Sequence, residues 1–318
     1  MSDGIRPRVA AIDCGTNSLR LLVADVGADG RLTDVVRRME IVRLGQGIDE
    51  TGVIAPEAMA RTLAVTREYA EQCRALGAER VRFVATSASR DARNADEFVA
   101  GVREAFGDLD VAPEVVDGDT EARFSFTGAT GDLRAVGMPG PYLVVDLGGG
   151  STELVRGDDD VDAARSVDVG SVRMTERHLR SDPPTGEQVA AARRDVAAAL
   201  DTVEESVDLT GIRAVVGLAG SITTITAHAL ALPEYLPDAI HLAQLPADAL
   251  RAACESMLAL GSAERAALPY LHPGRVDVIA GGALVWEAVL ERALLRSPDA
   301  LVVTSEHDIL DGIALSLA

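Results

Sequence analysis

The segments Val9-Ala10-Ala11-Ile12-Asp13-Cys14-Gly15-Thr16-Asn17-Ser18 and Leu143-Val144-Val145-Asp146-Leu147-Gly148-Gly149-Gly150-Ser151-Thr152 carry one pattern twice. At a constant offset of 133 residues Asp13 matches Asp146, Gly15 matches Gly148 and Ser18 matches Ser151. A second apolar run follows each copy, Leu19 to Val26 and Glu153 to Val155. Each copy reads as strand, acidic turn, strand. A supersecondary unit repeated near the midpoint of a 318-residue chain constrains it to two domains built to one plan.

The repeated residue types suit an anion. Glycines let backbone N–H groups approach it closely, hydroxyls add donors, and an Asp at the strand end can hold a divalent cation or its water shell. Gly15, Thr16, Asn17 and Ser18 in the first copy, and Gly148, Gly149, Gly150, Ser151 and Thr152 in the second, are therefore candidate phosphate contacts. Either copy alone reads equally well as a β-hairpin with a Gly-rich turn. Repetition of the Asp, Gly and Ser positions favours a shared binding role.

Composition removes several alternatives. All 30 basic residues are Arg, so a Walker A loop, a pyridoxal Schiff base and a protein-kinase strand Lys are excluded by absence. A net charge of −20 and an aromatic content of 3% speak against a basic or base-stacking nucleic-acid surface and against an anionic membrane as partners. An anionic substrate has to be accepted locally, through backbone N–H groups, a few Arg and a metal ion that inverts the local charge. Cys14, Cys73 and Cys254 show no C-x-x-C spacing, which points to a reducing cytoplasm and no structural zinc. Cys14 in the first turn reads as a small residue filling a tight site. None of the five His residues has metal-ligand spacing: His178, His228 and His241 read as ordinary positions and His307 as a loop or cap contact. Met1 to Val9 is polar and reads as neither signal peptide nor anchor, and no apolar run is long enough to span a membrane.

Along the first half the pattern predicts strands at Val9–Asp13, Ser18–Val26 and Leu32–Leu44, with the Gly27-Ala28-Asp29-Gly30 turn joining the last two. A helix follows from Pro56 to Leu76, a strand at Val81–Thr86, a helix at Asn94–Phe106, a strand at Val111–Val116, and a helix that opens at Gly118-Asp119-Thr120 and carries Glu121. The second half repeats the order: strands at Tyr142–Asp146, Ser151–Arg156 and Ala164–Val169, then an Ala-rich helix to Val207, a strand at Ala214–Leu218 and a helix opening at Ala219-Gly220-Ser221. Helices at Ala247–Leu260 and Val276–Leu295, a strand at Ala300–Thr304 and a last helix from Asp308 complete it. Duplication and motif order predict an α/β chain with the duplicated actin-like ATPase and sugar kinase (ribonuclease H-like) fold. The expected domains are 1–130 and 131–318, with the boundary in the Gly- and Pro-rich run from Gly131 to Pro141, the helix at about 306–318 packing back on the first domain, and an active-site cleft between them.

The chain resembles the exopolyphosphatase and guanosine pentaphosphate phosphatase family, in its short form. The resemblance rests on Ile12 to Ser18, Ala85-Thr86-Ser87-Ala88-Ser89-Arg90-Asp91-Ala92-Arg93-Asn94, Gly118-Asp119-Thr120-Glu121-Ala122-Arg123, Asp146 to Glu153, Gly217-Leu218-Ala219-Gly220-Ser221-Ile222-Thr223-Thr224 and Arg275-Val276-Asp277-Val278-Ile279-Ala280-Gly281-Gly282-Ala283. It implies release of a terminal orthophosphate by metal-assisted attack of water, on inorganic polyphosphate or, alternatively, on guanosine pentaphosphate. A regulator that binds polyphosphate or an alarmone without catalysis is a further alternative.

By the same resemblance Glu121 is the catalytic glutamate that orients or deprotonates water; from the residues alone the favoured reading is a first-turn acid interacting with the helix dipole, and the resemblance reverses that preference. Asp146 and Glu153, with Asp13 second, are the expected ligands of Mg²⁺ or Mn²⁺. Arg90 matches a phosphate-contacting Arg, whereas Arg93 reads as a surface or ion-pair residue. Gly220 and Ser221 are expected substrate or phosphate contacts; Ser221 and Thr223 fall where nucleotide-binding relatives hold adenosine, or cap a helix. Thr120 departs from the family by replacing a first Glu, which alters helix capping or local charge. The absence of the long relatives' C-terminal helical region implies shorter polyphosphates or lower processivity, and the resemblance implies a homodimer.

Overall fold

A computed structural model describes residues 7–28 and 30–318. Residues 1–6 of the N-terminal stretch and Asp29 of the expected turn lie outside the described residues. The chain divides into two compact units, Met1–Gly128 with Ile309–Ala318, and Ala129–Asp308.

In the first unit β1 (Arg8–Cys14), β2 (Ser18–Val26) and β3 (Leu32–Ile41) form an antiparallel meander, and β4 (Arg80–Ala85) and β5 (Glu114–Val115) extend it in parallel in the order β3-β2-β1-β4-β5. Strand β1 is apolar along nearly its whole length because both faces of the sheet are covered. Ala10, Ile12, Leu21 and Phe83 pack with Tyr69, Phe98 and Phe106 on one face. Val9, Ala11, Leu22 and Val84 pack with Ile309, Leu310 and Ile313 on the other. The helices are α1 (Ile48–Thr51), α2 (Pro56–Leu76), α3 (Ser87–Asp91), α4 (Ala95–Phe106) and α5 (Gly118–Ala135), with α13 (Ile309–Leu315) returning from the chain end. Strand β5 is only two residues long where six were expected; Pro113 supplies no N–H to a ladder there.

The second unit contains β6 (Tyr142–Leu147), β7 (Thr152–Gly157), β8 (Val161–Val167), β9 (Ala214–Leu218), β10 (Ala243–Gln244) and β11 (Leu301–Thr304), in the order β10-β11-β9-β6-β7-β8. From its own meander edge this sheet runs β8-β7-β6-β9-β11, with the same sequence of antiparallel and parallel pairings as β3-β2-β1-β4-β5. The duplication read in sequence is thus a duplication of topology, and the chain has the duplicated actin-like α/β fold. Around this sheet lie α6 (Ser171–His178), α7 (Gly186–Glu204), α8 (Ala219–Ala229), α9 (Pro237–Ile240), α10 (Ala247–Ala259), α11 (Ser262–Ala266) and α12 (Ile279–Arg296). Thr185 and Gln188 close a capping box at the start of α7. Trp286 of α12 is fully buried within a core of Leu, Val, Ile and Ala. The division between units falls at Gly128 and Ala129, inside α5. Buried Ala129 and Leu133 keep the helical period going past Gly131, so the chain stays helical to Ala135. Among the described residues, no helix is long and apolar enough to cross a membrane.

Candidate active site

The two repeated turns share a backbone bond. Gly15 N donates to Ser18 O and Gly148 N donates to Ser151 O, both at 3.0 Å. Their carbonyls are tied back into the protein: Asn17 O accepts from Val42 N and Arg43 N, and Gly149 O from Val172 N and Arg173 N. Such a turn can present N–H groups to an anion. Two of the expected side-chain donors are committed inward. Thr16 Oγ1 lies 2.9 Å from Ser87 Oγ, and Thr152, fully buried, donates to Val169 O at 2.6 Å. They hold the turns in shape. Gly15, Asn17, Ser18, Gly148 and Gly149 are partly accessible, whereas Gly150 and Ser151 are buried.

The acids at the strand ends differ between the copies. On the β1–β2 ladder Asp13 stands opposite Arg20, whose Nε and Nη2 reach Asp13 Oδ2 at 2.9 and 2.6 Å. At the equivalent register of β6–β7 Asp146 stands opposite Glu153. Directly opposed residues share one face of the sheet with Cβ atoms about 4.5–5.5 Å apart, so the second copy sets two buried carboxylates side by side. Ser166 Oγ donates to Glu153 Oε1 at 2.7 Å and fixes that carboxylate. Paired hard oxygens fit a Mg²⁺ or Mn²⁺ ion. Asp13, the third expected ligand, belongs to the other unit and has its Oδ2 engaged by Arg20.

Glu121 is buried in the first turn of α5. Its Oε2 lies 3.2 Å from Nη1 of Arg90, which also donates to Val116 O at 3.0 Å. The expected water-activating acid and the expected phosphate-contacting Arg are therefore direct partners, Arg90 presented by α3 immediately after β4. Asp117 Oδ1 accepts from Thr120 N at 2.9 Å and caps the helix. Hydrogen bonding to the Thr120 side chain, and then to its backbone N–H, holds the Asp117 carboxyl below its usual range, so the departure at Thr120 is accommodated in the cap. Arg93 Nη2 donates to Thr51 O at 2.9 Å, a structural contact.

At the start of α8, Ala219 has φ +67°, a conformation L residues rarely adopt. A Cβ on Gly220 would fall within the guanidinium of Arg275, so Gly220 is required for that cation to lie over the turn. Ser221 is buried against Gly282, and Thr223 Oγ1 bonds to the Tyr235 hydroxyl at 2.7 Å. Cys14 is buried, and burial followed by the charge of Asp13 pushes its thiol well up, which suits a packing residue.

Spacing alone missed Arg20, Arg275 and a cluster of Asp132, His241 and His307. Arg20 was recoverable, because the offset that aligns Asp13 with Asp146 also aligns Arg20 with Glu153. The cluster was not, since its members come from three distant segments.

A family model described as the Ppx/GppA phosphatase family matches residues 22–316. The chain is 51% identical over 316 residues to Exopolyphosphatase 2 of Mycobacterium tuberculosis, with 98% of each chain covered. The crystal structure of an exopolyphosphatase-like protein superimposes with a TM-score of 0.94 at 42% identity, covering 99% of this chain and 98% of the other. For the Aquifex aeolicus PPX-GPPA enzyme the TM-score is 0.79 at 30% identity, covering 98% and 99%. Guanosine-5'-triphosphate,3'-diphosphate pyrophosphatase of Photobacterium profundum is 31% identical over 223 residues, which is 70% of this chain and 43% of that protein.

Proposed function

Because the chain belongs to the Ppx/GppA phosphatase family, we propose that it is an exopolyphosphatase that releases terminal orthophosphate from short inorganic polyphosphate. The observation that carries this reading is the buried Asp146–Glu153 pair beside the Gly148–Gly150 turn, a carboxylate pair next to backbone donors. Such a combination serves a polyanion: the turn offers N–H groups to phosphate oxygens, and Asp146 and Glu153 would hold Mg²⁺ or Mn²⁺. The ion would supply charge neutralisation on the phosphate oxygens.

In the reaction a water oxygen forms a bond to the terminal phosphorus as the bridging P–O bond breaks. Orthophosphate leaves and the polymer is shortened by one unit. Glu121 orients the water and accepts its proton, and Arg90 holds the Glu121 carboxylate from one side. Phosphoryl transfer asks mainly for position and charge neutralisation, which fits a chain without Lys. The buried free thiols accord with a cytoplasmic enzyme. A homodimer is the accompanying expectation, to be read by sedimentation.

Phosphate release with Mg²⁺ is the deciding test, comparing short polyphosphate, long polyphosphate, guanosine pentaphosphate and ATP at equal concentrations of chain ends. Preference for short polyphosphate supports the proposal. Preference for guanosine pentaphosphate moves the function to alarmone conversion, the reading favoured by the likeness to the Photobacterium profundum protein. Binding without release of phosphate makes the chain a regulator. Full turnover in a chelator, or in Glu153→Gln, removes the metal from the mechanism.

A further inference from the structure

Away from the turns, three side chains from distant parts of the sequence converge in the second unit. Asp132 lies near the end of α5, His241 directly follows α9, and His307 lies between β11 and α13. Asp132 Oδ2 is 2.6 Å from His307 Nδ1 and 3.4 Å from His241 Nε2. The two imidazole centroids are 4.6 Å apart, and one ligand atom from each of the three residues lies within 4.8 Å of the other two. Their side chains are 42, 23 and 41% exposed for Asp132, His241 and His307, so the cluster is open to solvent.

We propose that Asp132, His241 and His307 form a binding site for a divalent transition-metal ion of the zinc type, separate from the oxygen-only pair at Asp146 and Glu153. Two imidazoles and one carboxylate suit zinc and its neighbours, whereas Mg²⁺ seeks oxygen ligands. Ligand atoms at about 2.0–2.1 Å from a tetrahedral zinc stand about 3.3 Å from one another. The Asp132–His241 separation already has this value. The Asp132–His307 separation has to widen by roughly 0.7 Å, a small rotation for a half-exposed imidazole.

The supporting bonds restrict where the ligands can go. Ser305 Oγ donates to His307 O at 2.8 Å and accepts from His307 N at 3.1 Å, which fixes the backbone at that ligand. His241 N donates to Pro237 O at 2.8 Å, and Asp132 is held by its helix. Glu306 N lies 3.3 Å from His241 Nδ1, so without metal the proton of that ring sits on Nε2, facing Asp132. A metal at Nε2 reverses the tautomer and gives up this long contact, as the proton between His307 and Asp132 moves to the far nitrogen of His307. Three protein ligands leave a fourth position for water.

The test uses the full chain, stripped of metal and kept in excess Mg²⁺ so that oxygen-only sites are filled. It is titrated with Co²⁺ while its visible absorption is followed, and then with Zn²⁺. One equivalent of Co²⁺ should give a visible spectrum of mixed nitrogen and oxygen ligation, displaced by one equivalent of Zn²⁺. His241→Gln and His307→Gln should each weaken Zn²⁺ binding at least tenfold and abolish the rise in unfolding temperature that Zn²⁺ gives the wild-type chain. Absence of a saturable Co²⁺ spectrum in the wild type overturns the proposal. So does equal Zn²⁺ affinity in the wild type and His307→Gln. If His241→Gln fails to fold by circular dichroism, His307→Gln, altered at a partly exposed side chain, decides alone.

Discussion

Gly170→Ala probes how tightly the second phosphate turn is clamped. Gly170 is the N-cap of α6, with φ −160° and ψ 171°, a conformation alanine adopts freely, so the backbone itself does not oppose the change. The space does. An added Cβ would lie 2.5 Å from Gly149 O, 2.7 Å from Gly149 C and 2.9 Å from Gly148 O. All three are backbone atoms that no rotamer change can move. Restoring ordinary contact requires the turn and the start of α6 to separate by roughly 0.5–0.9 Å, and overpacking of this kind costs about 1–3 kcal/mol. Reduced freedom of the unfolded chain returns about 0.4–1 kcal/mol, leaving a net loss of about 1–2 kcal/mol. The same displacement moves Gly148 to Gly150, and misplacement approaching 1 Å in a positioning element costs up to about 100-fold in rate. Urea unfolding measures the first effect and phosphate release the second. Gly131→Ala is the control: this glycine is exposed inside α5 with nothing within 4 Å of its added Cβ, so helix propensity alone should stabilise the chain by about 0.5–1 kcal/mol. Gly170→Ala with unchanged midpoint and unchanged turnover would refute the clamp.

Three other outcomes are expected. Glu121→Gln should lower turnover by about 10²–10⁴ with little change in the unfolding midpoint; a turnover within twofold of wild type would end its assignment as the water-orienting acid. Burial holds the thiols of Cys14 and Cys254 high and that of Cys73 at about 12, so none should react with a disulfide reagent at pH 8 in the folded chain, while all three react in denaturant. The Glu204 carboxyl is held below its usual range by the hydrogen bond from Arg296 and then by Arg292, so its folded-state pKa is depressed. Its contribution is present above the unfolded-state carboxylate range and is lost as pH falls through the folded value; Glu204→Gln should cost about 1 kcal/mol at pH 7, discounted for partial exposure, with the difference from wild type closing below about pH 4 in pH-dependent unfolding.

The elements legible in the sequence are those whose signals are local. Pro56 at the first turn of α2 and Gly77 after its last fix both ends of that helix, and the continuous apolar run of β1 marks a strand covered on both faces. The apolar run Val111–Val116 suggests a longer β5 than the two residues that pair, because Pro113 lacks an N–H for the ladder. The five-residue helix α3, which presents Arg90, is too short for a period to show. At the site, residue types were legible and partnerships were not. Glu121 and Arg90 stand 31 positions apart and meet only because α3 follows β4 and α5 follows β5, while Asp132, His241 and His307 share no spacing that a motif could encode. Side-chain pairing across segments is set by sheet order, and sheet order was available only through the duplication.

The duplication also explains why two hairpins with one backbone need not share one role. Each copy keeps the same Gly-to-Ser bond and an Asp at the end of its first strand, so the turn geometry is a property of the scaffold. What differs is the residue across the ladder, Arg20 in one copy and Glu153 in the other. An acid bonded to an Arg across the strand is already charge-balanced and can serve as a rigid strut. A pair of acids can serve a polyanion only by bringing a cation with it, all the more in a chain of net charge −20. One difference across a ladder is therefore enough to give the two copies opposite local electrostatics, balanced in the first and suited to a cation in the second. It follows that a metal requirement, where turnover shows one, should trace to Glu153 and not to the first hairpin.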